Sequence, residues 1–232
     1  MSLLAVEAID AGYGDFQALY ELSVQVQEGE TLAIVGANGA GKSTLLKAIA
    51  GLLEPTAGSI SFDGKSLAGV PAHQRVRRGI SLTPEGRRIF PSLTTEENLL
   101  VGAYKANPGP WNLSRIYATF PLLNDRKERL GTNMSGGEQQ MTAIARSLMS
   151  NPKLLLLDEV SLGLAPVIVS QIYAALPSIT AEGTTVLVVE QDVNQAMRVA
   201  DRMQCLLEGR TVLEGKPSSL SRESLAQAYF GI

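Results

Sequence analysis

Residues 3–11 and 19–27 alternate apolar with polar side chains and are rich in β-branched residues, the pattern of half-buried strands. Residues 31–35 are a continuous apolar run, read as a buried strand that leads through a glycine-rich loop into a helix over residues 42–50. Residues 80–83, 154–157 and 185–189 are further short apolar runs. Runs of this kind suit central parallel strands covered by helices on both faces, so the pattern predicts a doubly wound α/β core. From about residue 94 to 149 the period turns helical: Thr94 and Glu97 form a capping box ahead of Leu99, Leu100 and Ala103, and the loop NPGPWN interrupts later helical stretches. A hairpin is predicted around Glu208, Gly209 and Arg210, and a short helix over residues 222–230. With no repeat and no Pro- or Ser-rich linker, the reading is one domain over residues 1–232, with a helical arm inserted at about residues 87–150.

Composition narrows the setting. The 232 residues are 45% hydrophobic, ample for a packed core, and the formal net charge of -3 offers no basic footprint for nucleic acid. Cys205 is the only cysteine and His73 the only histidine, which rules out a disulfide framework or a Cys/His metal cluster within one chain. Cys205, in MQCLLE, reads as a small buried hydrophobe, and His73 as a surface residue. The N-terminus lacks a basic segment ahead of its apolar run and reads as a strand rather than a signal peptide. No run approaches the ~20 apolar residues that span a bilayer. The expectation is a cytoplasmic protein that reaches a membrane only through a partner.

Chemistry enters at three motifs. Gly36, Gly41, Lys42 and Ser43 match G-x-x-x-x-G-K-[ST] between a predicted buried strand and a predicted helix. The glycines let backbone N–H groups from Asn38, Gly39, Ala40 and onward to Thr44 converge on phosphate oxygens at a helix N-terminus. Lys42 then meets the β- and γ-phosphates, Ser43 offers a hydroxyl to Mg2+, and Thr44 reaches an inner phosphate. A turn that merely reversed the chain has no need of a lysine at the helix start. In LLLLDE, Asp158 and Glu159 stand at the carboxyl end of a buried strand, where open α/β sheets bind ligands. Asp158 suits Mg2+, and Glu159 suits a general base for the attacking water; capping of a following helix is the plainer alternative. In MSGGEQQ, Ser135 and Glu138 form a second capping box, but Gly136 and Gly137 each weaken a helix by about 1 kcal/mol relative to alanine, which suggests that a phosphate uses the exposed N–H groups.

With these motifs in this order and spacing, the chain resembles the ABC ATPase family over essentially its whole length. The resemblance implies a P-loop NTPase core of RecA-like type, with a mostly parallel sheet, an N-terminal antiparallel β subdomain and an α-helical arm. It also implies ATP and Mg2+ as ligands and a head-to-tail pairing with a second ATPase subunit, of the same or a different chain. In that pairing Ser135 and Gly137, with Gly136 and Glu138, address the γ-phosphate held by the opposite subunit, while Tyr13 stacks on adenine. The segments PEGRRIFPSLTTEENL, SLGLAP and VVEQDVNQA are similar to one of the two ATPase subunits of branched-chain amino acid importers, a pattern shared with urea and other amide importers. That similarity implies membrane permeases and an external solute-binding protein as partners, a place on the cytoplasmic face of the membrane, and no nucleic acid.

The sequence also departs from the family. Glu85 stands where most relatives carry glutamine, Gln191 where most carry histidine, Val160 where many carry proline and Ala165 where many carry aspartate. Glu85 and Gln191 therefore join Glu159 as catalytic candidates, and Glu85 joins Ser43 and Asp158 as a metal candidate, with Arg87 and Arg88 available to offset its charge. Ile89, Phe90 and Leu93 read either as a groove for a permease helix or as arm–core packing, and Trp111 as packing or a contact point. A regulatory or DNA-associated ABC ATPase is the alternative function, against which no long coiled coil is visible. A GTPase or small-molecule kinase leaves MSGGE without a role.

Overall fold

The computed structural model describes residues 2–230, so Met1 and residues 231–232 of the expected domain lie outside the described residues. In chain order the elements are β1 (Ser2–Tyr13), β2 (Phe16–Gln27), β3 (Thr31–Val35), α1 (Lys42–Ala50), β4 (Ala57–Phe62), β5 (Lys65–Ser66), α2 (Ala72–Arg77), β6 (Ile80–Thr83), α3 (Thr95–Gly102), α4 (Leu113–Thr119) and α5 (Pro121–Asp125). There follow α6 (Gly136–Leu148), β7 (Leu154–Asp158), α7 (Pro166–Ala181), β8 (Thr185–Glu190), α8 (Val193–Val199), β9 (Arg202–Leu207), β10 (Arg210–Gly215) and α9 (Arg222–Phe230).

Among the described residues the strands form two sheets, β10-β9-β3-β8-β7-β6 and the antiparallel β2-β1-β4-β5. In the first, β6, β7, β8, β3 and β9 run parallel, and β10 turns back on β9. The α/β core expected from the apolar runs is thus present, with the antiparallel sheet beside it. The reason lies in strand period: successive side chains of a strand face opposite sides. Leu32 and Ile34 of β3, Leu154 and Leu156 of β7, and Leu187 and Val189 of β8 enter one core with α1 and the antiparallel sheet. Their neighbours Ala33, Val35, Leu155, Leu157, Val186 and Val188 enter a second core with residues of α3 to α8. Each fully buried aliphatic side chain contributes roughly 1.5–3 kcal/mol, so strands this apolar are stable only between two covering layers.

Local signals also take the expected form. Both capping boxes are made, Thr94 with Glu97 at α3 and Ser135 with Glu138 at α6. The β9–β10 hairpin turns through Glu208 (φ 48°) and Gly209 (φ 76°), the double positive φ of a tight hairpin turn. Cys205 is buried, and that burial pushes its thiol up to about 11. Trp111 is buried and donates from Nε1 to the Thr184 hydroxyl at 3.1 Å, so it packs the arm rather than offering a contact point.

Five elements are not marked by the hydrophobic pattern: β4, β5, α2, α7 and α8. Helix α7 is apolar on most sides and carries Pro177 inside it, which hides its period. Helix α2 delivers the buried Arg75, whose guanidinium donates to the carbonyls of Val70 (2.7 Å), Ala48 (2.7 Å), Ile49 (3.0 Å) and Leu67 (3.0 Å). Two of these are last-turn carbonyls of α1, one of which, that of Ala48, also accepts from the Gly51 N–H at 3.3 Å, so Arg75 fastens the end of the helix that begins at the phosphate loop.

Candidate nucleotide-binding and hydrolysis site

The site is built at the carboxyl edge of the parallel sheet. Val35 of β3 lies in register with Glu190 of β8, and Asp158 of β7 with Val189, so the segments leaving these strands converge. The loop after β3 needs its glycines. A Cβ at Gly36 would stand 2.4 Å from the Leu206 carbonyl oxygen, and Gly41, at φ 99°, directly precedes α1.

Lys42 is 4% exposed, and its ammonium donates to the carbonyls of Gly36 (2.8 Å) and Ala37 (3.1 Å) while pairing with Glu159 Oε1 at 2.9 Å. The Ser43 hydroxyl donates to Asp158 Oδ1 at 2.8 Å. Burial pushes the Asp158 carboxyl above the usual carboxylate range, opposed by the Ser43 hydrogen bond and reinforced by the charges of Glu159 and Glu85. Glu159 sits at φ 44°, its N–H donating to the Val189 carbonyl at 3.0 Å. A left-handed non-glycine residue here is backbone strain located at the proposed base.

A cleft of about 400 Å³ runs over this loop, lined by Tyr13, Phe16, Asn38, Gly39, Gly41, Lys42, Ser43, Thr44, Glu85 and Glu159 among others. Ala40 is buried beneath it, and without nucleotide its N–H donates to the Ala37 carbonyl at 3.1 Å. The donor chemistry fits Mg2+: a hydroxyl and a carboxylate oxygen 2.8 Å apart, in a cleft that also holds Glu159 and Glu85, are hard ligands with negative charge to offset.

Tyr13 is 45% exposed at the cleft, and Lys47, one turn into α1, donates to its hydroxyl at 3.2 Å while its ammonium stands 5.3 Å from the ring centroid. Phe16, paired with Tyr13 across the β1–β2 turn, is 68% exposed at the same cleft. Sequence reading assigned nothing to Lys47 or Phe16, although an aromatic three residues after Tyr13 was the available signal.

Gln191 does not line this cleft. It lines an adjoining cavity of about 680 Å³ that shares Glu159 and Leu162 with it. Glu85 is exposed at the cleft, but the expected compensation by arginines is not what forms. Arg87 turns to the first turn of α6, where a Cβ on Gly136 would meet its guanidinium at 2.8 Å and where it donates to Gln139 Oε1 at 3.3 Å. Arg88 contributes its carbonyl to Arg146 at 2.6 Å. Arg87 is thus engaged by the Gln139 side chain while Glu85 stays exposed to solvent, where an ion pair would contribute little.

Ser135, Gly136, Gly137 and Glu138 lie at the α6 N-terminus and line no part of the cleft, so one chain does not bring them to its own phosphate loop. Ser135 is exposed, while Glu138 is buried beneath it. Burial pushes the Glu138 carboxyl up, but the Ser135 N–H (2.6 Å) and hydroxyl, with Arg129 (3.1 Å), outweigh that and hold it below its ordinary value. The capping box thus holds the turn, with Ser135 exposed and Gly136 half-buried at its tip.

A strand, a glycine loop and a lysine-led helix, with an acidic strand end beside them, define a P-loop nucleotide-binding protein. Residues 19–161 match the ABC transporter family. The chain is similar to the high-affinity branched-chain amino acid transport ATP-binding protein BraG of Pseudomonas aeruginosa, at 44% identity over 99% of this chain and 100% of the relative. It is also 33% identical to the probable branched-chain amino acid transport ATP-binding protein LivF of Archaeoglobus fulgidus, over 99% of each. Among solved structures, an ATP-binding cassette in a dimeric post-hydrolysis state with ADP and phosphate superposes with a TM-score of 0.81, at 26% identity over 94% of this chain and 100% of that one. The chain belongs to the ABC transporter family, as one of its ATP-binding subunits.

Proposed function

We propose that this chain hydrolyses ATP with Mg2+ to power an importer of branched-chain amino acids or related amino acids and amides. The observation that carries this is the meeting of Lys42, Ser43, Asp158 and Glu159 at one cleft, in a chain so similar to an ATP-binding protein of branched-chain amino acid transport. The triphosphate lies along the α1 N-terminus, where Lys42 exchanges its backbone carbonyls for β- and γ-phosphate oxygens. Ser43 and Asp158 would hold Mg2+, with Glu85 nearby, and the ion when bound would supply positive charge to offset that of the phosphates. Glu159 takes the proton of the attacking water as the bond to the ADP oxygen breaks, with Gln191 beside it in the adjoining cavity. Tyr13 takes the adenine on the ring face that Lys47 does not cover.

The α6 N-terminus, with Ser135, Gly136 and Gly137 set by Glu138, serves the γ-phosphate of a second ATPase subunit packed head to tail. Similarity to one of two importer ATPases favours a different chain in that place. Residues 1–232 act as one domain, with the arm at about residues 87–150 facing the permeases. Phe90 is 46% exposed there, and Leu100 and Val101 of α3, with Tyr104 just after it, are presented to solvent, an apolar surface suited to a permease helix. No helix among the described residues is long and apolar enough to cross a membrane, so the permeases supply the attachment, on the cytoplasmic face, with a solute-binding protein on the other side.

Affinity purification of the tagged chain from detergent-solubilised membranes is expected to recover two permease subunits and a second ATPase. Recovery with DNA or ribosomes and without permeases would overturn the transport reading.

A further inference from the structure

One more carboxylate is buried at the same sheet edge. Glu190 ends β8 and is 1% exposed. It accepts hydrogen bonds from the Tyr173 hydroxyl, the Ser161 hydroxyl at 2.7 Å and the Ser161 N–H at 3.3 Å. Burying a carboxylate is unfavourable unless its oxygens are satisfied, and another aliphatic residue would have continued the VLVV run without that need. The bonds it makes join three elements: the end of β8, the turn after β7, and α7.

The turn after β7 needs such an anchor. Glu159 is left-handed, at φ 44°, and a residue in that region persists only where its surroundings over-determine it. Packing does not supply this on every side, because the cavity of about 680 Å³ opens against Glu159, Ser161, Glu190 and Gln191. What spans the gap between β8 and the turn is a pair of adjacent connections, Glu159 N–H to the Val189 carbonyl and Ser161 to Glu190.

We propose that Glu190 is a positioning residue, which holds Ser161 and Tyr173 so that the turn after β7 aims Glu159 into the nucleotide cleft with Gln191 alongside. The inference rests on the reading of Glu159 as the base. Glu190 touches neither nucleotide nor water in this role; it acts through Ser161.

The test is steady-state ATP hydrolysis and melting temperature for Glu190→Ala, Glu190→Gln and Ser161→Ala, in the full chain purified with its membrane partners, with wild type and Glu159→Gln as references. In Glu190→Ala, kcat falls about 10- to 100-fold, the scale of an ångström-level misplacement, while KM for ATP stays within about threefold. Glu190→Gln, which keeps an acceptor oxygen of the same reach, recovers part of kcat. Ser161→Ala, which removes one hydroxyl from a partly exposed turn, lowers kcat in the same sense without lowering the melting temperature. Unchanged kcat in both Glu190→Ala and Ser161→Ala overturns the proposal. So does a joint fall of kcat, ATP affinity and melting temperature that glutamine does not relieve, which marks a merely structural role. If Glu159→Gln itself turns over ATP normally, the base assignment fails and this inference with it; if that reference is inactive while Glu190→Ala is normal, the positioning role alone is wrong.

Discussion

Glu159→Gln will bind ATP and fail to turn it over. Removing a general base lowers a rate by roughly 10²–10⁴-fold, and little else supports the site's chemistry once that carboxylate is gone. Glutamine preserves the volume and one acceptor oxygen, so the turn's bond from the residue 159 N–H to the Val189 carbonyl, 3.0 Å in the native chain, survives. The Lys42 ion pair does not survive, which frees the ammonium for phosphate and tends to tighten ATP binding. Rapid-quench hydrolysis, with fluorescent ATP titration in parallel, separates the two effects. Turnover close to wild type would move the base to Glu85, the other carboxylate that lines the cleft.

Lys42→Met will lose affinity for ATP, by about 10- to 100-fold, because a charge-assisted hydrogen bond to a buried partner contributes roughly 1.5–3 kcal/mol. Methionine keeps the length and apolar stem of a side chain that is 4% exposed, so the cleft's shape is retained while its positive charge goes. The carbonyls of Gly36 and Ala37 lose their donor, and Glu159 its partner. Equilibrium titration checks the prediction, and an unchanged ATP dissociation constant would mean that Lys42 serves the fold by tying its loop together and does not serve the ligand.

Much of this site was legible because its chemistry is local in sequence. The lysine-led helix, the two capping boxes and the apolar runs ending in acids are each written within a few residues, where helix and strand periods read directly. What was not legible depends on distant segments. Arg87 was assigned to Glu85, two residues away, yet its guanidinium lies on α6, which follows it by some fifty residues in the chain. Arg75 carries no local signal, yet it is buried against four carbonyls from α1 and the segment before α2. Glu190 had a readable signal, an acid closing VLVVE much as Asp158 closes LLLLD, but its partners come from Ser161 and from α7, a helix whose period Pro177 and an apolar surround conceal. Gln191 was named as a catalytic candidate by family resemblance, and it lines the cavity that adjoins the cleft and shares Glu159 with it.

The central claim, ATP hydrolysis at this cleft coupled to import, is tested most directly by uptake of radiolabelled leucine in cells lacking this gene. The wild-type chain restores uptake, and Glu159→Gln and Lys42→Met, expressed to equal levels, do not. Leucine uptake that is indifferent to loss of the gene, or that Glu159→Gln restores in full, would contradict the account.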